Sequence, residues 1–77
     1  MKFFNKKNTY EILKEGRYDT IAFRKAVRLA YLSEKFNIYR VNDSVIFEQG
    51  AFRKVLVPVD IVEDIIGVEV SVPTRTA

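Results

Sequence analysis

Apolar side chains recur at helical spacing between residues 8 and 36, and at the two-residue spacing of strands after Asn37. The first helical stretch is short. Asn8 is placed to act as N-cap with Glu11 three residues on, the pair that forms a capping box, and Gly16 supplies a following residue free to turn left-handed. This pattern predicts a two-turn helix over 9–15 that buries Tyr10 and Leu13. A second helix begins after Asp19 or Thr20 and is predicted to run to about Phe36, because neither Gly nor Pro interrupts it. On its wheel Ile21, Ala22, Phe23, Ala26, Val27, Leu29, Ala30, Leu32 and Phe36 cover more than half the circumference, an arc wide enough for packing on two sides. The narrow remaining face carries Arg24, Arg28, Tyr31 and Lys35 at i, i+4, i+7 and i+11, a basic stripe with one aromatic set into it.

Beyond Asn37, Ile38–Val41 and Ser44–Glu48 flank Asn42-Asp43, a two-residue connection of turn formers. A second turn at Gln49-Gly50-Ala51 leads into Phe52–Val57, so the three runs predict an antiparallel meander. Val45-Ile46-Phe47 is apolar on both faces, which places that strand centrally. Pro58 ends the third strand, since it has no amide hydrogen to donate. Asp60 with Glu63 is a further candidate capping box, opening a short helix that carries Ile61, Val62, Ile65 and Ile66 and stops at Gly67. Val68-Glu69-Val70-Ser71-Val72 alternates strictly and predicts a half-buried fourth strand, and Phe3-Phe4 is a candidate short edge strand.

The reading is therefore an α+β domain in the order α-α-β-β-β-α-β: two N-terminal helices packed on a mainly antiparallel three- or four-stranded sheet. It treats residues 1–77 as one small domain with loose ends at about 1–7 and 73–77. The expected core is Leu13, Phe23, Ala26, Val27, Leu29, Ala30, Phe36, Val45, Phe47, Val55, Val57, Ile61, Ile65, Val68 and Val70.

Composition narrows the chemistry. Hydrophobic residues make up 48% of the chain, too many for a disordered segment. The chain has neither histidine nor cysteine, which removes the commonest general base, the thiolate nucleophile and most transition-metal ligand sets. Its glycines stand alone at turns and helix ends, so there is no glycine-rich phosphate loop. The carboxylates Asp60, Glu63 and Asp64 fit a helix start better than a metal site. No enzyme activity, cofactor or metal is expected. Small secreted domains usually carry disulfides, so the absence of cysteine points to the cytoplasm. No apolar run approaches a membrane span, and Met1–Lys7 lacks the apolar core of a signal peptide, so no membrane partner is expected.

Charge is distributed unevenly. Residues 1–40 hold ten Lys/Arg against four acids, a balance of +6; residues 41–77 hold three against six, a balance of −3. Either the two halves face each other, or both are solvated surface with the stripe as the wet face of a buried helix, or the basic half attracts an acidic protein surface or nucleic acid. The candidate partner-binding residues are Arg24, Arg28, Tyr31 and Lys35, extended by Arg17 and Tyr18 just ahead of the helix. Tyr and Arg are favoured at interface hot spots, which makes a larger protein with an acidic surface the expected partner. The expected function is thus a non-catalytic accessory or regulatory protein-binding module. Such small cysteine-free chains are found among phage- or mobile-element-type modulators and inhibitors of host proteins, an association by size and composition only. The first alternative is a nucleic-acid-binding protein using the same stripe for phosphates and base stacking, and the second is a structural homo-oligomer.

Overall fold

A computed structural model describes residues 7–76. The elements run α1 (Thr9–Glu15), α2 (Ile21–Leu32), β1 (Asn37–Val41), β2 (Ser44–Glu48), β3 (Lys54–Pro58) and α3 (Val59–Ile66). The three strands form one antiparallel sheet in the order β1-β2-β3, with the two-sided apolar strand in the centre as its sequence requires. The α+β class and the order of the first six elements match the sequence reading.

Local chemistry explains most boundaries. The Asn8 side chain accepts from the Glu11 amide at 2.9 Å while the Glu11 carboxylate accepts from the Asn8 amide at 3.1 Å, a complete capping box. Gly16 closes α1 at φ 68°, and its amide donates to the Leu13 carbonyl. Thr20 caps α2 by accepting from the Phe23 amide at 3.1 Å. This helix stops at Leu32, four residues short of the sequence expectation. Ser33 is already extended, and its hydroxyl accepts from the Lys35 amide at 3.0 Å, so a local serine turn displaces the helical hydrogen bond. In the β1–β2 hairpin only Asn42 takes positive φ (54°), a conformation asparagine tolerates better than most residues.

Two expectations fail in the last third of the chain. The Asp60–Glu63 capping box does not form: the helix begins earlier, after Pro58, with no side-chain cap. Its first amide, from Val59, donates instead to the Asp43 carbonyl at 2.8 Å, which ties α3 to the β1–β2 turn. Glu63 turns the other way and accepts from the Val70 amide. The expected fourth strand is also absent: Val68–Val72 is irregular. The Val70 and Ser71 amides are taken by the Glu63 carboxylate and the Tyr31 hydroxyl, so these side chains occupy donors a ladder would need. Sheet pairing resumes only at Thr74, in an isolated parallel bridge to Arg40 on the outer edge of β1. The Phe3-Phe4 candidate strand lies outside the described residues.

All three helices cover one face of the sheet. Val45, Phe47, Val55 and Val57 point into that face and meet Leu13 of α1, Phe23, Ala26, Val27 and Ala30 of α2, and Val59, Val62 and Ile65 of α3. Phe36 closes one end against Phe47, edge to face with centroids 6.5 Å apart. Ile61 and Val70 are only half-buried against this core, whereas Leu29 and Val68, both expected inside, are each 64% exposed. Tyr39, Ile46 and Leu56 are in register on the opposite face, where Tyr39 and Ile46 are buried and the Arg75 guanidinium lies 3.8 Å from the Tyr39 ring centroid.

Candidate functional site on the long helix

Helix α2 packs inward through a narrower arc than its composition suggests. Only Phe23, Ala26, Val27 and Ala30 are buried, a stripe at i, i+3, i+4 and i+7. Ile21 and Leu32 are 78% and 83% exposed, and Ala22 is exposed as well. The reason is geometric: α1 and α3 flank α2 on its two sides, and its outward line is left without a third layer.

That outward line reads Ile21, Lys25, Arg28, Leu32, at i, i+4, i+7 and i+11, so two cations sit between two exposed aliphatic side chains. Among the described residues neither cation has a carboxylate partner. Beside Leu32, the groove between α2 and the end of α3 with the residues that follow is lined by Arg28, Tyr31, Leu32, Ile66 and Val68, and holds about 240 Å³.

The residues singled out from the sequence are divided by the fold. Arg24 turns toward α3 and forms an ion pair with Asp64 at 3.1 Å, which joins the basic half of the chain to the acidic half. Tyr31 turns the same way and is half-buried, its hydroxyl oxygen accepting from the Ser71 amide at 3.0 Å. Arg28 remains on the outward line. Lys35 lies beyond the end of the helix, on the serine turn. Arg17 and Tyr18 sit in the α1–α2 connection, where the Tyr18 ring packs on Phe23 at 5.0 Å between centroids. Ile21, Lys25 and Leu32 were not singled out. The signal that finds them is the position of the buried stripe, which sequence alone spread over too many apolar positions.

Among the described residues no polar or charged side chain is buried, and no cluster of three or more acidic side chains is placed to hold a metal ion. No helix in the described residues is long and apolar enough to cross a membrane. Neither a protein-family model, a curated protein nor a solved structure matches the chain.

Proposed function

We propose that this chain is a non-catalytic, cytoplasmic protein-binding module that docks through the outward line of α2 onto an acidic surface of a larger protein. The observation that carries this reading is the exposed line Ile21, Lys25, Arg28, Leu32, in which two cations without carboxylate partners among the described residues sit between two aliphatic side chains. Burying an exposed Ile or Leu contributes about 1.5–3 kcal/mol per side chain. The two cations between them set the partner's sign and its approach.

Charge also argues against self-pairing. An antiparallel two-fold pairing of this line brings Ile21 to Leu32 of the other copy, but it sets Lys25 against Arg28, like charge on like. Nucleic acid is the weaker reading for a different reason. Two of the four stripe residues, Arg24 and Tyr31, are engaged within the chain, and the cations that remain are separated by aliphatic surface rather than by stacking rings.

The test is capture with the intact chain and with the variants Lys25→Glu/Arg28→Glu and Leu32→Asp. Wild type should retain one partner in a salt-dependent manner, and a zero-length carbodiimide cross-link should join Lys25 to an Asp or Glu of that partner. Both variants should lose it while keeping their circular dichroism. Retention of the partner by both variants, or retardation of nucleic acid alone, would overturn the reading.

A further inference from the structure

A second concave surface lies between the start of α1, the last turns of α2 and the β2–β3 turn. It holds about 570 Å³, within the span of single-ligand sites. Tyr10, Leu29 and Phe36 supply its apolar floor, and Lys35, Arg53 and Gln49 its polar rim. Among the described residues no Asp or Glu lines it.

Its two cations are placed by the fold. Lys35 sits on the serine turn that ends α2. Arg53 is held with its guanidinium 5.3 Å from the centroid of the Tyr10 ring, in a turn closed by the Gln49 amide donating to the Arg53 carbonyl at 2.8 Å. Two nearby acids are committed elsewhere: Glu11 accepts from the Asn8 amide, and Glu48 accepts from the Asn37 side chain and pairs with Lys54; Glu34, next to Lys35 in the chain, is exposed and does not line the groove. Among the described residues neither Lys35 nor Arg53 has a carboxylate within ion-pair distance.

We infer that this groove is a binding site for a small organic anion with an apolar body. The anionic head sits between the Lys35 ammonium and the Arg53 guanidinium, and the body lies on Tyr10, Leu29 and Phe36. Arg53 is the more directional partner because its planar fork gives two parallel donors to a carboxylate, sulfonate or phosphate. The volume suits one compact molecule rather than a polymer strand. The site is separate from the Ile21–Leu32 line, so it stands or falls independently of the protein-docking reading.

The probes are anilinonaphthalene sulfonate, its uncharged phenylnaphthylamine counterpart and inorganic phosphate, titrated into the full chain and followed by fluorescence and amide chemical shifts. Saturable one-site binding of the sulfonate is expected, with shifts centred on Tyr10, Leu29, Lys35 and Arg53. The Lys35→Glu and Arg53→Glu variants should each weaken it by about tenfold or more, and the uncharged probe and phosphate should each bind at least about tenfold more weakly. Leu32→Asp should leave it unchanged. Because both reversed residues are exposed, each variant should keep the wild-type urea transition, and a variant that does not is replaced by the neutral Lys35→Gln or Arg53→Gln. Sulfonate binding that ignores the charge changes, equal affinity for the uncharged probe or for phosphate, shifts confined to the outward line of α2, or no saturable binding would each overturn the inference.

Discussion

Replacing Leu32 by alanine should separate binding from folding. Its side chain is 83% exposed, so only about a sixth of its surface is covered by the fold. Full burial of a leucine is worth about 1.5–3 kcal/mol, and the covered fraction therefore contributes about 0.3–0.5 kcal/mol. Alanine is the better helix former by a few tenths of a kcal/mol, which offsets most of that loss. The expected change in folding stability is within about 0.5 kcal/mol of zero. Leu13 gives the opposite case: it is 1% exposed in the core, the one buried residue of α1, and its truncation should cost about 2–5 kcal/mol. A chain of this size has roughly 4–12 kcal/mol of stability in total, so Leu13→Ala takes a large part of it. In urea titrations with a slope of about 1 kcal/mol/M, the Leu13 variant should lose about 2 M or more of midpoint, while the Leu32 variant should stay within about 0.5 M. Against the captured partner the ranking reverses. Leu32→Ala should weaken binding by about tenfold or more, because the partner would bury what the fold leaves exposed. A loss of more than about 1 kcal/mol of folding stability at Leu32 that does not depend on protein concentration would refute the placement of this face. A concentration-dependent loss would show that a second copy covers it.

Other substitutions test the local chemistry. Asn8→Ala removes the capping box and should cost about 1 kcal/mol by urea titration, with faster amide exchange confined to α1. Tyr31→Phe leaves the Ser71 amide without its acceptor and should cost about 0.5–1.5 kcal/mol, with increased exchange at Ser71. A double-mutant cycle on Arg24 and Asp64 should return less than about 1 kcal/mol and shrink with added salt, because the pair lies at the surface. Asn42→Gly should be neutral or slightly stabilising at its positive φ, whereas Asn42→Val should cost about 1–2 kcal/mol.

The elements that could be read from the sequence are those whose signals are local. The Asn8–Glu11 box, the α2 start at one of Asp19 or Thr20, Gly16 and Gly67 as helix stops, and the two-sided Val45-Ile46-Phe47 run each act through neighbours in the chain and are found in the fold, with Thr20 as the cap that forms. The failures in the last third of the chain involve competition between partners distant in sequence. Val68–Val72 has the alternation of a strand, but Tyr31 and Glu63 take its amides first. Asp60 and Glu63 have capping-box spacing, but the Asp43 carbonyl secures the start of α3 two residues earlier, at Val59. The candidate site was half legible for the same reason. Sequence marks α2 as basic on one side, but only the packing of α1 and α3 decides that Arg24 and Tyr31 turn inward to partners while Ile21 and Leu32 face out.

The short parallel bridge at Thr74 has a consequence for self-assembly of the sheet. A β-sheet is most easily extended at an edge strand whose backbone groups are free. On β1, the Arg40 amide donates to the Pro73 carbonyl and its own carbonyl accepts from the Arg75 amide, so the middle of that edge is already taken. Arg75 then folds over Tyr39 and places a positive charge where an incoming strand would slide. On β3, at the other edge, Lys54 and Pro58 bracket the strand with a charge and a residue that cannot donate. Both rims of the sheet are thus guarded against amyloid-like stacking, so the exposed aliphatic surface of the long helix is displayed by a scaffold that resists aggregating through its strands.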